Sequence, residues 1–141
     1  PVNKPDPSNV PRGEPEEIAP RDKATKQTNV KIQNEMGLLL AQRGYDIELI
    51  GKAGGEGADY LIGGKAFDAK APTTNNPDGI RDLMSDSMGQ ASCFIIDLRR
   101  TDVTPESLLK RLDSKPLKGL DEVIALTKEG EFVRVWPATT K

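Results

Sequence analysis

The sequence predicts an α/β (α+β) fold, a mixed sheet flanked by helices, in the element order αβββαβαββ. Three observations predict it. An apolar rhythm with helical spacing opens the patterned part of the chain, and two glycines, Gly63-Gly64, sit between short strand-like runs. The apolar run Ala91 to Leu98 has the length of a central strand buried on both faces.

Each element has its own local reason. Ala24 to Arg43 reads as a helix because Ile32, Met36, Leu39 and Leu40 fall at spacings of four, three and one, with Gly44 placed to end it. Tyr45 to Ile50 alternates well enough for a strand, and Gly51 to Gly57, with four glycines in seven residues, reads as a flexible loop. That loop lacks the Gly-Lys-Ser/Thr ending of a phosphate-binding P-loop, so nucleotide binding of that kind is excluded. A hairpin follows from Asp59 to Ala71, then a turn-rich segment, Pro72 to Asp78. Gly79 to Gln90 is expected as a second helix carrying Ile80, Leu83, Met84 and Met88 on one face. Thr104-Pro105-Glu106 gives a third helix its cap, a first-turn proline and an early acid, and that helix should reach about Leu112. A C-terminal β-hairpin, Glu122 to Thr127 and Glu131 to Trp136, closes the chain around the turn Lys128-Glu129-Gly130.

The first 22 residues are expected as a disordered or extended proline-rich lead-in, because six of the eleven prolines lie among the first twenty residues. Residues 23–141 then make one domain, within the size that buries a real core. The start at Pro1-Val-Asn, without a methionine, suggests a processed product or a piece of a longer polypeptide. No apolar run approaches the roughly 18 residues of a membrane span, and no signal peptide is present, so any export signal would lie on sequence not included here. The single cysteine, Cys93, excludes an internal disulfide and reads as a buried strand thiol.

The chain has no histidine. This removes Ser-His-Asp and Cys-His nucleophiles, His-ligated zinc hydrolases and the two-histidine ribonuclease mechanism. Hydrolysis would need carboxylates, lysine and a metal. A net charge of -2 argues against a generally basic nucleic-acid binder.

The Gly-Gly register puts Ile62 opposite Lys65, Leu61 opposite Ala66, Tyr60 opposite Phe67, and Asp59 opposite Asp68. Opposed like charges are destabilising unless a cation lies between them. Asp68 and Lys70 share a strand face, and Glu35 falls at the edge of the helical apolar stripe, where a glutamate turned toward the sheet needs a cation or donors. Two readings are open on the residues alone. In one, Asp59 and Asp68 ligate a divalent ion with help from the Ala69 carbonyl, Glu35 serves a second ion or a bound water, and Lys70 orients or deprotonates the attacking water. Magnesium or manganese suits such oxygen donors best, with zinc as a third choice. In the other, the hairpin faces solvent, Asp68 pairs with Lys70 or Lys65, and Glu35 merely lines an amphipathic edge.

The combination of Glu35 on a helix, Ala58-Asp59, and Asp68-Ala-Lys70 resembles the PD-(D/E)xK nuclease superfamily, whose core is αβββαβ. Ala58 stands where the superfamily pattern has proline. More closely, Asn34 to Tyr45, Gly57-Ala-Asp-Tyr60, Phe67-Asp-Ala-Lys-Ala-Pro-Thr73 and the closing strand pair are similar to C-terminal toxin domains of CdiA-type contact-dependent growth inhibition proteins. The resemblance covers about residues 25 to 136. It implies a toxin cut from a large secreted, cell-surface effector, acting in the target-cell cytoplasm as a metal-dependent endonuclease, commonly on tRNA. It also implies a cognate immunity protein and, for some such toxins, a host factor in the target cell. A DNase on the same scaffold, or a catalytically silent protein-binding domain, are the alternatives.

Thr73 and Thr74 follow the motif strand and could hydrogen-bond a phosphate, although threonine after proline is ordinary turn chemistry and that reading is favoured. Gln90 could reach the site from the second helix, with a solvated helix end as the plainer reading. Arg99, Arg100, Lys110, Arg111, Lys115 and Lys118 outnumber Asp102, Glu106 and Asp113 over one stretch and could track an RNA backbone or face an immunity protein. Tyr60, Phe67, Phe94, Phe132 and Trp136 all fall in strands and read as core rather than as a base-stacking platform.

Overall fold

The computed structural model describes residues 11–13, 24–49, 59–89 and 91–137. The glycine-rich loop Gly51 to Gly57, Ala58, Gln90 and most of the lead-in lie outside them. The chain forms two compact units, Pro1–Phe67 and Asp68–Lys141.

In the first unit, strand β1 (Arg12–Gly13) precedes helix α1 (Ala24–Gln42), strand β2 (Ile47–Leu49) and strand β3 (Tyr60–Ile62), and strand β4 (Lys65–Lys70) begins here and ends in the second unit. The two-residue β1 is an addition to the expected order. It pairs in parallel with β2, so part of the lead-in is extended rather than structureless.

Helix α1 buries Ile32, Met36, Leu40 and Ala41, a stripe at helical spacing. Leu39, expected in that stripe, is only half-buried. The helix stops where Gly44 takes φ 92°. The Gly44 N–H then donates to the Ala41 carbonyl at 3.0 Å, and the Tyr45 N–H to the Leu40 carbonyl at 3.1 Å. That pair of bonds is the Schellman arrangement, which satisfies carbonyls the helix end would otherwise leave bare.

Gly37 lets the helix lie close on the strands, since a Cβ there would sit 2.7 Å from Leu49 Cδ2 and 3.3 Å from Tyr60 Cε1. The fully buried Tyr60 ring adds a hydrogen bond from its hydroxyl to the Gln33 carbonyl. Strands β2 and β3 are antiparallel.

The turn between β3 and β4 has φ of 57° at Gly63 and 83° at Gly64, the left-handed values that a primed hairpin turn requires. Its register is Ile62 with Lys65, Leu61 with Ala66 and Tyr60 with Phe67, as the sequence predicts.

The second unit holds α2 (Pro77–Ser87), β5 (Cys93–Asp97), α3 (Pro105–Ser114), β6 (Glu122–Leu126) and β7 (Phe132–Trp136). Helix α2 starts earlier than the expected Gly79. Asn76 is its N-cap, accepting from the Asp78 N–H at 2.9 Å, and Pro77 opens the first turn. Its inward face is Ile80, Met84 and Ser87. Leu83, expected inside, is exposed, and Met88 is half-buried.

Helix α3 begins at a Thr104–Ser107 capping box, as its sequence signals. Strand β5 is buried along its whole length and pairs in parallel with β6, which pairs antiparallel with β7. Phe94 and Ile96 of β5, Val123 and Ala125 of β6, and Val135 of β7 form one core with Ile80 and Met84 of α2 and Leu108 and Leu112 of α3. Cys93 is buried, as expected of a strand thiol. Phe132 and Trp136, read as core, are half-buried. The strand pairings mix parallel and antiparallel, so the class is the α+β arrangement that the sequence predicts. Among the described residues, no helix is long and apolar enough to cross a membrane.

Candidate active site

Asp59 and Asp68, the two acids expected to oppose each other in the hairpin, are both buried, at 3% and 2% exposure. Asp59 precedes β3, and its N–H donates to the Phe67 carbonyl at 2.9 Å, which carries the hairpin ladder one step past the Tyr60–Phe67 pair. Asp68 is the residue after Phe67 in β4.

A carboxylate removed from water needs donors or a cation. One oxygen of each, Asp59 Oδ1 and Asp68 Oδ2, is buried and accepts no hydrogen bond among the described residues. Asp59 is otherwise held, through the backbone bond just given. Lys70 Nζ lies 3.1 Å from Asp68 Oδ2. The two groups are therefore in Coulombic contact without hydrogen-bond alignment, so Oδ2 keeps acceptor capacity.

The strand explains which side chains meet. Asp68 and Lys70 are two residues apart in β4 and share a face, while Ala69 between them points to the other. Ala69 is half-buried. Glu35 is on α1 between the buried Ile32 and Met36, at the rim of the apolar stripe, and its side chain is exposed rather than turned inward. The desolvation cost considered for an inward glutamate therefore does not arise. Among the described residues, no group of three or more His, Cys, Asp or Glu side chains is arranged to hold a metal ion.

The remaining candidates separate by what they touch. Thr74 is used locally, because its hydroxyl accepts from the Asn76 N–H at 3.2 Å and its carbonyl accepts the Thr101 hydroxyl. Thr73 is exposed. Gln90 lies outside the described residues.

The basic stretch is less open than its composition suggests. Arg111 pairs with Asp78 across α3 and α2, and Arg99 and Arg100 both bond Asp97. Lys110, Lys115 and Lys118 are exposed.

Asp97 is the residue that sequence reasoning missed. It ends β5 with 0% exposure. Its Oδ1 accepts from the Arg99 N–H at 3.0 Å and Arg99 Nε at 2.9 Å, and its Oδ2 accepts from Arg99 Nη2 and Arg100 Nη1, each at 2.8 Å. Burial pushes this carboxyl up, but the hydrogen bonds and charge of Arg99, with a further bond from Arg100, outweigh it and hold it below the ordinary 3.8. The sequence signal was the Asp97-Leu-Arg-Arg100 run at the end of an apolar strand, where an acid has no reason to sit unless cations follow it.

Residues 56–132 match the model of the contact-dependent growth inhibition CdiA C-terminal domain, more than half of the chain. The chain belongs to that family. A curated relative, tRNA nuclease CdiA-2 of Burkholderia pseudomallei (strain 1026b), is 32% identical over 132 residues, which is 89% of this chain and 4% of that protein. The chain thus spans a small part of the relative's length. A chain of the solved CdiA-CT/CdiI toxin and immunity complex from Burkholderia pseudomallei superposes with a TM-score of 0.79 at 30% identity, covering 89% of this chain and 97% of the other. At that identity and coverage the CdiA C-terminal fold extends over nearly the whole chain.

Proposed function

We propose that residues 23–141 are a single toxin domain that acts as a metal-dependent endonuclease on RNA, with tRNA as the substrate, in the cytoplasm of neighbouring bacteria. A cognate immunity protein neutralises it in the producing cell, and a host factor in the target cell is a further candidate partner. The substrate is argued from the relative's name, tRNA nuclease, and the immunity partner from the toxin and immunity complex that the fold matches.

The observation that carries the reading is the buried Asp68, whose Oδ2 accepts no hydrogen bond among the described residues and has the Lys70 ammonium 3.1 Å away. Asp59 is taken as its companion from the sequence alone, where the Gly63-Gly64 turn sets it opposite Asp68. Two carboxylates fit magnesium or manganese, since magnesium is commonly held by one or two carboxylates and keeps several waters. The Ala69 carbonyl is a third oxygen in the same strand, and the exposed Glu35 serves only at the periphery, on a bound water or a second ion. Such an ion would supply positive charge that lowers the pKa of a water and offsets charge building on the phosphate.

This chain's own residues do the rest. Asp68 fixes the Lys70 ammonium by charge, and Lys70 binds a phosphate oxygen, orients the attacking water and stabilises the developing charge. Thr73, exposed just past the strand, is available to a neighbouring phosphate.

The test is a gel of total bacterial RNA, and separately of plasmid, incubated with the protein in magnesium or in chelator. Loss of a tRNA band in magnesium alone, abolished in Lys70→Ala, is the expected result. Equal cleavage by the wild type and Lys70→Ala in chelator would overturn it, and cleavage of plasmid alone would reassign the substrate to DNA.

A further inference from the structure

The turn after β5 is built differently from the rest of the basic stretch. Asp97 has no exposure, yet it is bonded to two consecutive arginines whose side chains reach the surface, Arg99 at 26% and Arg100 at 39%. The charges of Asp97, Arg99 and Arg100 sum to plus one, and Arg100 gives only Nη1 to Asp97, so the rest of its donor set is not taken up by that carboxylate. Holding a long side chain in one place normally costs rotamer entropy, and here the buried acid has already met that cost.

The turn is also fastened to the segment leaving the motif strand. The Thr101 hydroxyl donates to the Thr74 carbonyl, and the Asp102 N–H donates to Asn75 Oδ1 at 2.9 Å. Thr101 itself is buried, and its hydroxyl oxygen accepts the Val103 N–H at 3.1 Å. Thr74 is four residues past Lys70, at most about 14 Å of extended chain. The arginines therefore sit on a turn tied by two hydrogen bonds to the segment that follows the proposed catalytic lysine.

We propose that Arg99 and Arg100 form a phosphate clamp for the RNA backbone beside the scissile bond, with Asp97 as the positioning residue that presents them. This rests on the RNA nuclease reading above and adds where the substrate's flanking phosphates are gripped. Guanidinium groups suit the role because they meet phosphate oxygens with paired N–H donors. Such contacts position RNA without reading its sequence.

Binding of bacterial tRNA, followed by fluorescence anisotropy in chelator so that no cleavage occurs, tests the clamp across a range of salt. Arg100→Gln should weaken tRNA binding about tenfold, the value of one charge-assisted contact. It should also lower the salt slope by about one, and a melting curve should show the protein folded.

Asp97→Asn separates positioning from mere charge. It raises the net charge by one, so a Coulombic effect alone would tighten binding, whereas loss of positioning weakens it. Unchanged affinity and salt slope in folded Arg100→Gln would overturn the clamp, as would tighter binding by Asp97→Asn for the positioning role. Should the wild type cut no RNA in magnesium, the nuclease reading fails by itself. Should it cut RNA while Arg100→Gln binds like the wild type, only the clamp fails.

Discussion

Asp68 in β4 and Asp97 at the end of β5 are both buried acids with cationic neighbours two residues on, and the structure treats them in opposite ways. Asp97 accepts four hydrogen bonds, three from Arg99 and one from Arg100, so both oxygens are saturated from within the chain. Asp68 has one ammonium 3.1 Å from its Oδ2, and that same oxygen receives no hydrogen bond among the described residues. The protein thus shows that it can satisfy a buried aspartate completely from within the chain. On the proposed function, an Asp68 oxygen that accepts no hydrogen bond among the described residues is the acceptor an external cation would use. Buried carboxylates with unused acceptor capacity cost stability, and that cost persists when binding or catalysis depends on it.

The sharpest way to break the contrast is to neutralise each acid in turn. Asp68→Asn should cut tRNA cleavage roughly 10^2- to 10^3-fold, the usual scale for losing one electrostatic element of a catalytic site, while the melting temperature holds or rises. A variant that melts well below wild type, or that keeps full activity, would place Asp68 among the structural acids. Asp97→Ala should do the reverse and destabilise by roughly 3 kcal/mol, the lower part of the range for breaking a buried ion pair, since the guanidinium groups are partly solvated. A thermal melt unchanged from wild type would show that the four bonds contribute nothing net.

Metal addition sharpens the same comparison from the ligand side. A ligand present at a hundredfold excess over its Kd stabilises the folded state by about 2.7 kcal/mol. Magnesium should therefore raise the melting temperature of the wild type and of Asp97→Asn alike, and leave Asp68→Asn unmoved. A rise in Asp68→Asn equal to that of the wild type would remove Asp68 from the ligand set.

The difference between the two acids also marks what could be read from the chain beforehand. The hairpin register was legible because Gly63-Gly64 fixes it locally: a two-residue turn leaves one pairing, and Tyr60 with Phe67 follows. The Gly44 helix end and the Thr104 cap are equally local. Reading Asn76-Pro77 as part of a turn starts helix α2 two residues late, although an N-cap asparagine followed by proline is itself a start signal. Helical spacing put Glu35 at the edge of the apolar stripe but could not tell on which side of that edge its carboxylate would fall. Asp97 escaped because its partners lie in an aperiodic turn. Periodicity says that the end of β5 is buried, and nothing in it says where Arg99 and Arg100 will fold back. Composition alone therefore groups Arg99, Arg100 and Arg111 with the open basic surface, whereas Asp97 pairs with the first two and Asp78 with the third.

Acid titration probes the satisfied acid. Because the Asp97 carboxyl is held below its unfolded value of 3.8, its contribution is in full force above that value and is lost as pH falls through the lower, folded one. Melting temperatures taken from pH 7 to pH 3 should therefore fall more steeply in the wild type than in Asp97→Asn below about pH 4. Parallel curves would mean that the arginines do not favour the charged form.

The smallest expected effect belongs to a third kind of acid. Asp78 meets Arg111 with both side chains well exposed, 45% and 34%. Solvent screens such a pair, so the pair itself is worth about 0–1 kcal/mol. Asp78 also stands in the first turn of α2, where a negative charge is favoured by a few tenths of a kcal/mol up to about 1. Asp78→Asn removes both terms and should still destabilise by only about 1 kcal/mol, shrinking further in high salt, whereas the Asp97 bonds, sealed from water at the carboxylate, should keep most of their worth there. If the two variants instead lost equal stability and responded equally to salt, burial of the acid would not be what separates them, and the contrast with Asp68 would have to rest on hydrogen-bond alignment alone.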